Sequence, residues 1–382
     1  MRLLLIVFLW VAQAECHQKA VLKDPPEIGT TLAGQKVRLG GFSALHFLGQ
    51  EGGKHRFLTM TDRGPNAFFI EDKRGLLRPF LLPDFSPRIV ELEADFAAGE
   101  IRVVRQVLFT DWSGRPMTGL PTSKEDETPA DLWGKKLKYS GNGMDSEALV
   151  VMPDGSFWVG EEYHPSLLHF SKTGRLISRH SPRVRKGGLP EAFGRRRHNR
   201  GFEALAYDGK LLWAFLQSPL EGRSKVVRVL VFDPKKKRSV GEYVYMLETA
   251  KADKLGDAVA VGESKILVIE RDGAAGAGTF KRIYEVDFSA ATDVSRMKGG
   301  DSLESFTESE WDGIQPGKKR LVKDFAAVGF DRAEKAEGLA FLPDGRLAVI
   351  NDNDFGLDGT VDVAKGTAPF KNEQTEILLI DP

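Results

Sequence analysis

Residues 147–162 read EALVVMPDGSFWVGEE: an apolar run, a Pro-Asp-Gly turn, and a second apolar run that ends in two acidic residues. Two apolar runs joined by a short turn with Asp-Gly are typical of a β-hairpin. The pattern recurs at residues 203–217, 257–271 and 337–353, with a fainter copy at residues 43–66. The chain therefore repeats one hairpin along its length, which predicts an all-β fold.

The spacing of these copies suggests how they are assembled. Successive copies start 104, 56, 54 and 80 residues apart. A unit of about 50 to 55 residues fits one blade of a β-propeller. We therefore interpret the first interval as two blades and place a hidden blade around residues 88–92 and 101–109. The sequence predicts a β-propeller of six blades, with seven as the alternative because of the 80-residue interval.

The first 14 residues, MRLLLIVFLWVAQA, combine a basic start, a short apolar run and small residues. This is typical of a secretory signal peptide, and the apolar run is too short for a permanent membrane anchor. We predict cleavage near Ala14, a single propeller domain over residues 15–382, and a secreted or periplasmic location. The chain has one cysteine, Cys16, so it forms no internal disulfide.

Charge does not point to a large polyanionic partner. Removal of residues 1–14 takes away Arg2, and the 54 basic residues of the chain become 53 against 54 acidic residues. Without a global basic field, neither nucleic acid nor a membrane surface is favoured. We expect a monomer that acts on a small anionic or ester substrate.

The polar residues of the repeat lie at both ends of each hairpin. Because the turn is in the middle, these ends meet, and a propeller would gather them around one mouth of its channel. Crowded carboxylates repel one another unless cations neutralise them, and all-oxygen ligands favour calcium. The predicted metal ligands are Asp62, Glu147, Glu161, Glu203, Asp257, Glu270, Glu337 and Asp352.

Four cations are adjacent to these acids in the sequence: Arg63, Arg200, Arg271 and Lys335. They are either ion-pair partners that tie blades together or groups that bind a phosphate substrate. The sequence leaves both interpretations open.

Acid–base chemistry has four candidates: Glu147, Glu203, His164 and His198. Histidine titrates near neutral pH and suits proton transfer, although a surface or loop position is the favoured explanation for each histidine taken alone. The sequence lacks an HExxH motif and a GxSxG motif. Zinc chemistry and a serine nucleophile are therefore disfavoured.

Several segments resemble the phytase-like family, also described as "esterase-like activity of phytase". They are FLTMTDRGPN, GMDSEALVVMPDGSFWVGEE, NRGFEALAYDG and KAEGLAFLPDGRLAVINDND. The resemblance extends from Gly41 to Asp354 and implies an exported propeller with metal-dependent phosphoesterase or esterase activity. It assigns no catalytic residue.

Three functions remain open from the sequence. The first is a calcium-dependent hydrolase of phosphoesters or other esters. The second is a lactonase built on the same channel site, and the third is a noncatalytic propeller that binds a ligand or partner. A long segment without strand periodicity, residues 111–145, is predicted to be a functional loop or lid at the same mouth.

Overall fold

The computed structural model describes most of the chain. The described residues are 17–73, 75–182, 188–220, 224–249 and 251–381. The predicted signal peptide and Cys16 lie outside them.

Short β-strands make up nearly all of the regular structure. The first strands are β1 (Gln18–Val21), β2 (Glu27–Thr30), β3 (Lys36–Arg38), β4 (Phe42–Glu51), β5 (Lys54–Thr61), β6 (Ile70–Asp72), β7 (Gly75–Pro79), β8 (Arg88–Asp95) and β9 (Glu100–Leu108). Next are β10 (Pro129–Ala130), β11 (Ser146–Val151), β12 (Phe157–Glu161), β13 (Ser166–Phe170), β14 (Leu176–His180), β15 (Phe202–Tyr207), β16 (Leu212–Leu216), β17 (Val226–Asp233) and β18 (Arg238–Met246). The last are β19 (Lys254–Gly262), β20 (Lys265–Arg271), β21 (Lys281–Asp287), β22 (Lys318–Asp324), β23 (Lys335–Phe341), β24 (Leu347–Asp352) and β25 (Glu376–Ile380).

The helical segments within the described residues are short 3₁₀ turns in the connections. They are Glu191–Arg195, Val294–Arg296, Gly300–Ser305, Phe325–Val328 and Asp354–Gly356. The prediction of an all-β fold is confirmed.

Five four-stranded antiparallel units are the blades of a propeller. Blades 2, 3 and 4 are the sheets β11–β14, β15–β18 and β19–β22. Blade 1 consists of β4, β5, β8 and β9, and blade 5 of β23, β24, β25 and β1. The first strands β4, β11, β15, β19 and β23 contact one another in that order, and β23 contacts β4. These inner strands therefore form a closed ring around an axial channel.

The described residues thus contain five blades, and the prediction of six is not met. The segments that we assigned to a hidden blade, 88–92 and 101–109, belong to β8 and β9, the two outer strands of blade 1. The long first interval instead holds the small sheet β6, β7 and β10 and the segment of residues 111–145, called the lid segment below. The interval length gave the wrong blade count because a long connection and a blade can have similar numbers of residues.

The N-terminal strand of the described chain completes the last blade. β1 pairs with β25 as the outer strand of blade 5, so this blade combines residues from both chain ends. β1 also meets β9 of blade 1 at one position, Val21 opposite Glu100.

Apolar side chains fill the spaces between the blades. The aromatic residues that the sequence places on second strands, Phe157, Trp158, Trp213 and Phe215, are all buried in clusters that join neighbouring blades. They are packing residues, as expected for a propeller core. No helix among the described residues is long and apolar enough to cross a membrane.

Candidate functional site

A β-bulge lies at the repeated acid near the start of four inner strands. The pairing of inner and second strand skips Glu147, Glu203 and Glu337, and it skips residues 256–257 in blade 4. A bulge leaves its extra residue unpaired and re-aims the side chain. The repeated acid of the hairpin is thus a bulged residue in these four copies, whereas the register shift in β4 skips residues 44–45, which contain no acid.

The side chains of the bulged glutamates line one cavity at the front end of the channel, where the inner strands begin. This front cavity, of about 330 Å³, is lined by Glu147, Glu203 and Glu337 together with other charged side chains, including Asp62 and Glu162. The back end of the channel is lined mainly by apolar residues of the same strands. The expected gathering of hairpin ends at one mouth is therefore found for blades 1, 2, 3 and 5.

Three carboxylates in and beside the front cavity form an acidic cluster: Asp145, Glu147 and Glu162. One oxygen from each lies within 4.8 Å of the others, a spacing that suits one metal ion. Ser43 donates to Oε2 of Glu147 at 2.5 Å, and the amide of Arg63 donates to Oδ1 of Asp145 at 3.2 Å. In the described part of the chain, Oε1 of Glu162 is buried and accepts no hydrogen bond. This orphaned oxygen could ligate a cation together with the oxygens of Asp145 and Glu147.

Burial and mutual repulsion make this cluster unfavourable when it is fully ionised. Burial, then the neighbouring carboxylates, raises the pKa of Glu147 and of Glu162 well above the ordinary value. Burial and Glu337 raise the pKa of Glu203 to about 8, although Arg271 opposes this shift. The protein must bind either protons or a cation here.

Three of the four predicted substrate-binding cations are engaged with protein carboxylates. Arg63 contacts Glu127 at 3.0 Å and Asp145 at 3.2 Å. Arg271 pairs with Glu337 and lies 3.8 Å from Glu203. These arginines line the front cavity, but their charges already hold the blades and the lid segment together.

Lys335 lies between two acids, the predicted metal ligand Asp352 and the nearby Asp354. Its ammonium contacts Asp352 at 2.7 Å and Asp354 at 2.5 Å. The pKa of nearby Asp62 is raised by burial and by Asp352, and Lys335 opposes that shift. The ammonium takes the place that a second cation would have beside these acids.

Two cations that line the front cavity form no close ion pair with a carboxylate of the described residues. Arg200 lies 3.8 Å from Oε1 of Glu162, outside hydrogen-bond distance. Lys254, at the start of β19, lines the cavity, and its ammonium has no hydrogen bond or ion pair to any described residue. Burial and the nearby Arg271 lower its pKa. Lys254 was not among the residues that we selected from the sequence.

Glu161 and Glu270 do not line the front cavity. They end second strands, which lie behind the inner strand that faces the channel. Glu161 accepts hydrogen bonds from the amides of Asp145, Tyr163 and His164. Glu270 accepts from Tyr245 and Lys319, between blades 3 and 4. Both acids hold turns and blade contacts in this structure, so their predicted place in the ring was wrong.

Asp257 is also turned away from the cavity. Its carboxylate accepts the amides of Leu339 at 2.7 Å and Ala258 at 2.8 Å. It joins the inner strands of blades 4 and 5, and burial raises its pKa well above the ordinary value. The predicted convergence of four bulged acids therefore holds for three of them.

The two candidate histidines lie outside the front cavity. His164 contacts Thr122 at 2.7 Å and Asp126 at 3.4 Å, and His198 contacts the carbonyl of Asp126 at 3.2 Å. Both side chains hold the lid segment, which explains their nearness in sequence to cavity residues. Their placement does not support a direct role in proton transfer.

The lid segment does border the same mouth. Glu127 from this segment pairs with Arg63 and with Arg78, and both arginines line the front cavity. Asp145, which ends the segment, belongs to the acidic cluster. Its position two residues before Glu147 was the sequence signal that could have identified it.

The topology and the charged front cavity define the protein as a β-propeller with a carboxylate site on its axis. A family model described as "Esterase-like activity of phytase" matches residues 37–355, and the chain belongs to this phytase-like family. An uncharacterized secreted protein of Arthroderma benhamiae is 28% identical, with 66% of this chain and 66% of the relative covered. The chain thus spans about two thirds of that relative.

Solved structures with similar overall arrangement are distant. Pseudomonas fluorescens PhoX in complex with vanadate is 10% identical, with 95% of this chain and 94% of that chain covered and a TM-score of 0.40. The catalytic domain of a Coprinopsis cinerea GH62 α-L-arabinofuranosidase is 8% identical, with 95% and 96% covered and a TM-score of 0.44. At these TM-scores the likeness carries no argument about function.

Proposed function

We propose that the protein is an exported, calcium-dependent hydrolase that cleaves phosphoesters or other esters in the front cavity. The observation that carries this proposal is the acidic cluster of Asp145, Glu147 and Glu162 with its orphaned oxygen. All three donors are carboxylates, which favour a hard cation, and calcium tolerates irregular oxygen geometry. Membership of the phytase-like family supports ester hydrolysis.

We assign metal binding, substrate binding and proton transfer to different residues of the cavity. Asp145, Glu147 and Glu162 would hold the ion, which when bound polarises an ester or phosphoryl oxygen and acidifies water. Arg200 and Lys254 retain charge for an anionic substrate. Glu203 has a pKa of about 8, and its Oε2 accepts no hydrogen bond within the described ranges. We place proton transfer to the leaving group at this oxygen.

A purely binding function is less well supported by the same geometry. A noncatalytic propeller would use all of its carboxylates in internal ion pairs. Asp352 and Glu337 are paired in this way, whereas Glu162 and Glu203 each keep an unpartnered oxygen in the described structure. These oxygens are available to ligate a metal ion and to transfer a proton, as a metal-dependent hydrolase requires.

Metal content and hydrolysis test this proposal directly. We expect bound calcium in the purified protein, and hydrolysis of 4-nitrophenyl phosphate or 4-nitrophenyl acetate that a chelator abolishes. Glu147→Gln keeps the volume but removes a charged ligand, so we expect about a 100-fold loss of turnover.

The matched control is Glu263→Gln, an exposed residue in the hairpin turn of blade 4. It should retain full activity. Absence of any divalent ion, together with full turnover of Glu147→Gln, would contradict the proposal. A lactone substrate in the same assay distinguishes lactonase activity.

A further inference from the structure

The rim of the front cavity carries one exposed aromatic side chain that internal packing does not explain. Phe68 lines the cavity together with the charged residues, yet 63% of the residue is exposed. Aromatic side chains are frequent in the lining of ligand pockets, where they pack against the apolar part of a ligand.

Phe68 is held in a fixed position by its neighbours. Its amide donates to the carbonyl of Gly359 at 2.6 Å, and the preceding amide of Ala67 donates to Pro79 at 2.9 Å. The ring lies against Gly359, where a Cβ atom would stand 2.4 Å from Cζ of Phe68. Gly359 has a positive φ of 87°. One side of the ring thus rests on a glycine that allows this close approach.

The neighbouring aromatic residue is already covered. The guanidinium of Arg78 lies over the ring of Phe69, 3.7 Å from its centroid. Phe69 also does not line the front cavity. The two adjacent phenylalanines therefore differ: Phe69 has a cation as its partner, and Phe68 presents its open side at the mouth.

We propose that Phe68 forms an apolar subsite, so that the substrate carries an aromatic or similar planar group next to the hydrolysed ester or phosphoester. This inference rests on the proposed function, since it names the kind of substrate that the same cavity takes. The charged end would reach Arg200, Lys254 and the acidic cluster, while the planar group packs on the open side of Phe68. A highly charged substrate without an apolar part would leave this ring unused.

Two non-hydrolysable probes of equal charge test the subsite. Phenylphosphonate and methylphosphonate are titrated by calorimetry into the calcium-loaded protein. We expect phenylphosphonate to bind about 3- to 10-fold more tightly, as stacking on one aromatic ring typically provides. In Phe68→Ala this advantage should disappear while methylphosphonate affinity stays within twofold.

Phe370→Ala is the matched control, because Phe370 is 44% exposed on the neighbouring loop and does not line the front cavity. It should keep the phenyl advantage. If methylphosphonate binds and Phe68→Ala keeps the full advantage, the apolar subsite is wrong and the proposed function stands. If neither phosphonate binds, the phosphoester function fails and the subsite is rejected with it.

Discussion

Most side chains of the front cavity are charged and largely buried. They differ in whether a side chain of opposite charge lies beside them. Arg63, Arg271 and Lys335 have carboxylate partners, whereas Lys254 has none among the described residues. Lys254 is half-buried, and an unpaired cation that is partly removed from water gains more from an incoming anion than a paired cation does. Lys254 is therefore the residue on which selection for substrate charge should depend most.

Lys254→Met removes this charge and keeps most of the apolar stem. We expect KM for 4-nitrophenyl phosphate to rise about tenfold with little change in kcat, as for loss of one charged contact made equally in ground and transition states. KM for the neutral 4-nitrophenyl acetate should stay the same. Lys251→Met, an exposed lysine three residues away, is the control. Equal changes for both substrates would show that Lys254 has only a structural role.

Burial also makes the carboxyl groups sensitive to pH. The pKa of Glu203 and that of Glu161 are each raised to about 8 from an ordinary value of 4.5. The folded protein then binds more protons than the unfolded chain between about pH 4.5 and 8, so its stability falls as pH rises through this window.

We expect the melting temperature of the chelator-treated protein to fall by several degrees between pH 5 and 8. Calcium replaces the protons, so its stabilising effect should be larger at pH 8 than at pH 5. Glu203→Gln should reduce the pH dependence of the metal-free protein. A melting temperature that stays constant or rises with pH in chelator would contradict this account of the buried acids.

The inner strands position the residues of the site because these strands pack closely against one another. At Gly256, next to the bulged Asp257, a Cβ atom would lie 2.3 Å from the carbonyl oxygen of Ala336 in blade 5. At Gly338 it would lie 2.7 Å from the backbone of Ala44 in blade 1. Glycine at these positions lets neighbouring inner strands pack backbone to backbone.

Gly256→Ala should force blades 4 and 5 apart. Overpacking of this kind costs about 1–3 kcal/mol, and the free energy of unfolding in urea should fall accordingly. Gly141→Ala is a suitable control, since nothing lies within 4 Å of a Cβ atom there and its φ is not in the left-handed range. An unchanged urea midpoint for Gly256→Ala would show that the inner ring has room to adjust.

At the level of the whole molecule, the two ends of the channel differ in chemistry. Inner strands run in the same direction, so their bulged starts form the charged front cavity and their other ends form the apolar back end. Blade 5 needs β1 from the N-terminal part of the described chain to complete it. The site therefore depends on contacts between residues that are far apart in sequence.

The sequence by itself determined the repeated hairpin, the all-β fold and the positions of Glu147, Glu203 and Glu337, because alternation and turn residues are local properties. Only the tertiary structure decided the five blades, the diversion of Asp257, Glu161 and Glu270, and the addition of Asp145 and Lys254. Whether an acid faces the channel depends on bulges, on which strand is innermost and on its ionic partner. These are set by pairing across the ring, which no local pattern of residues records.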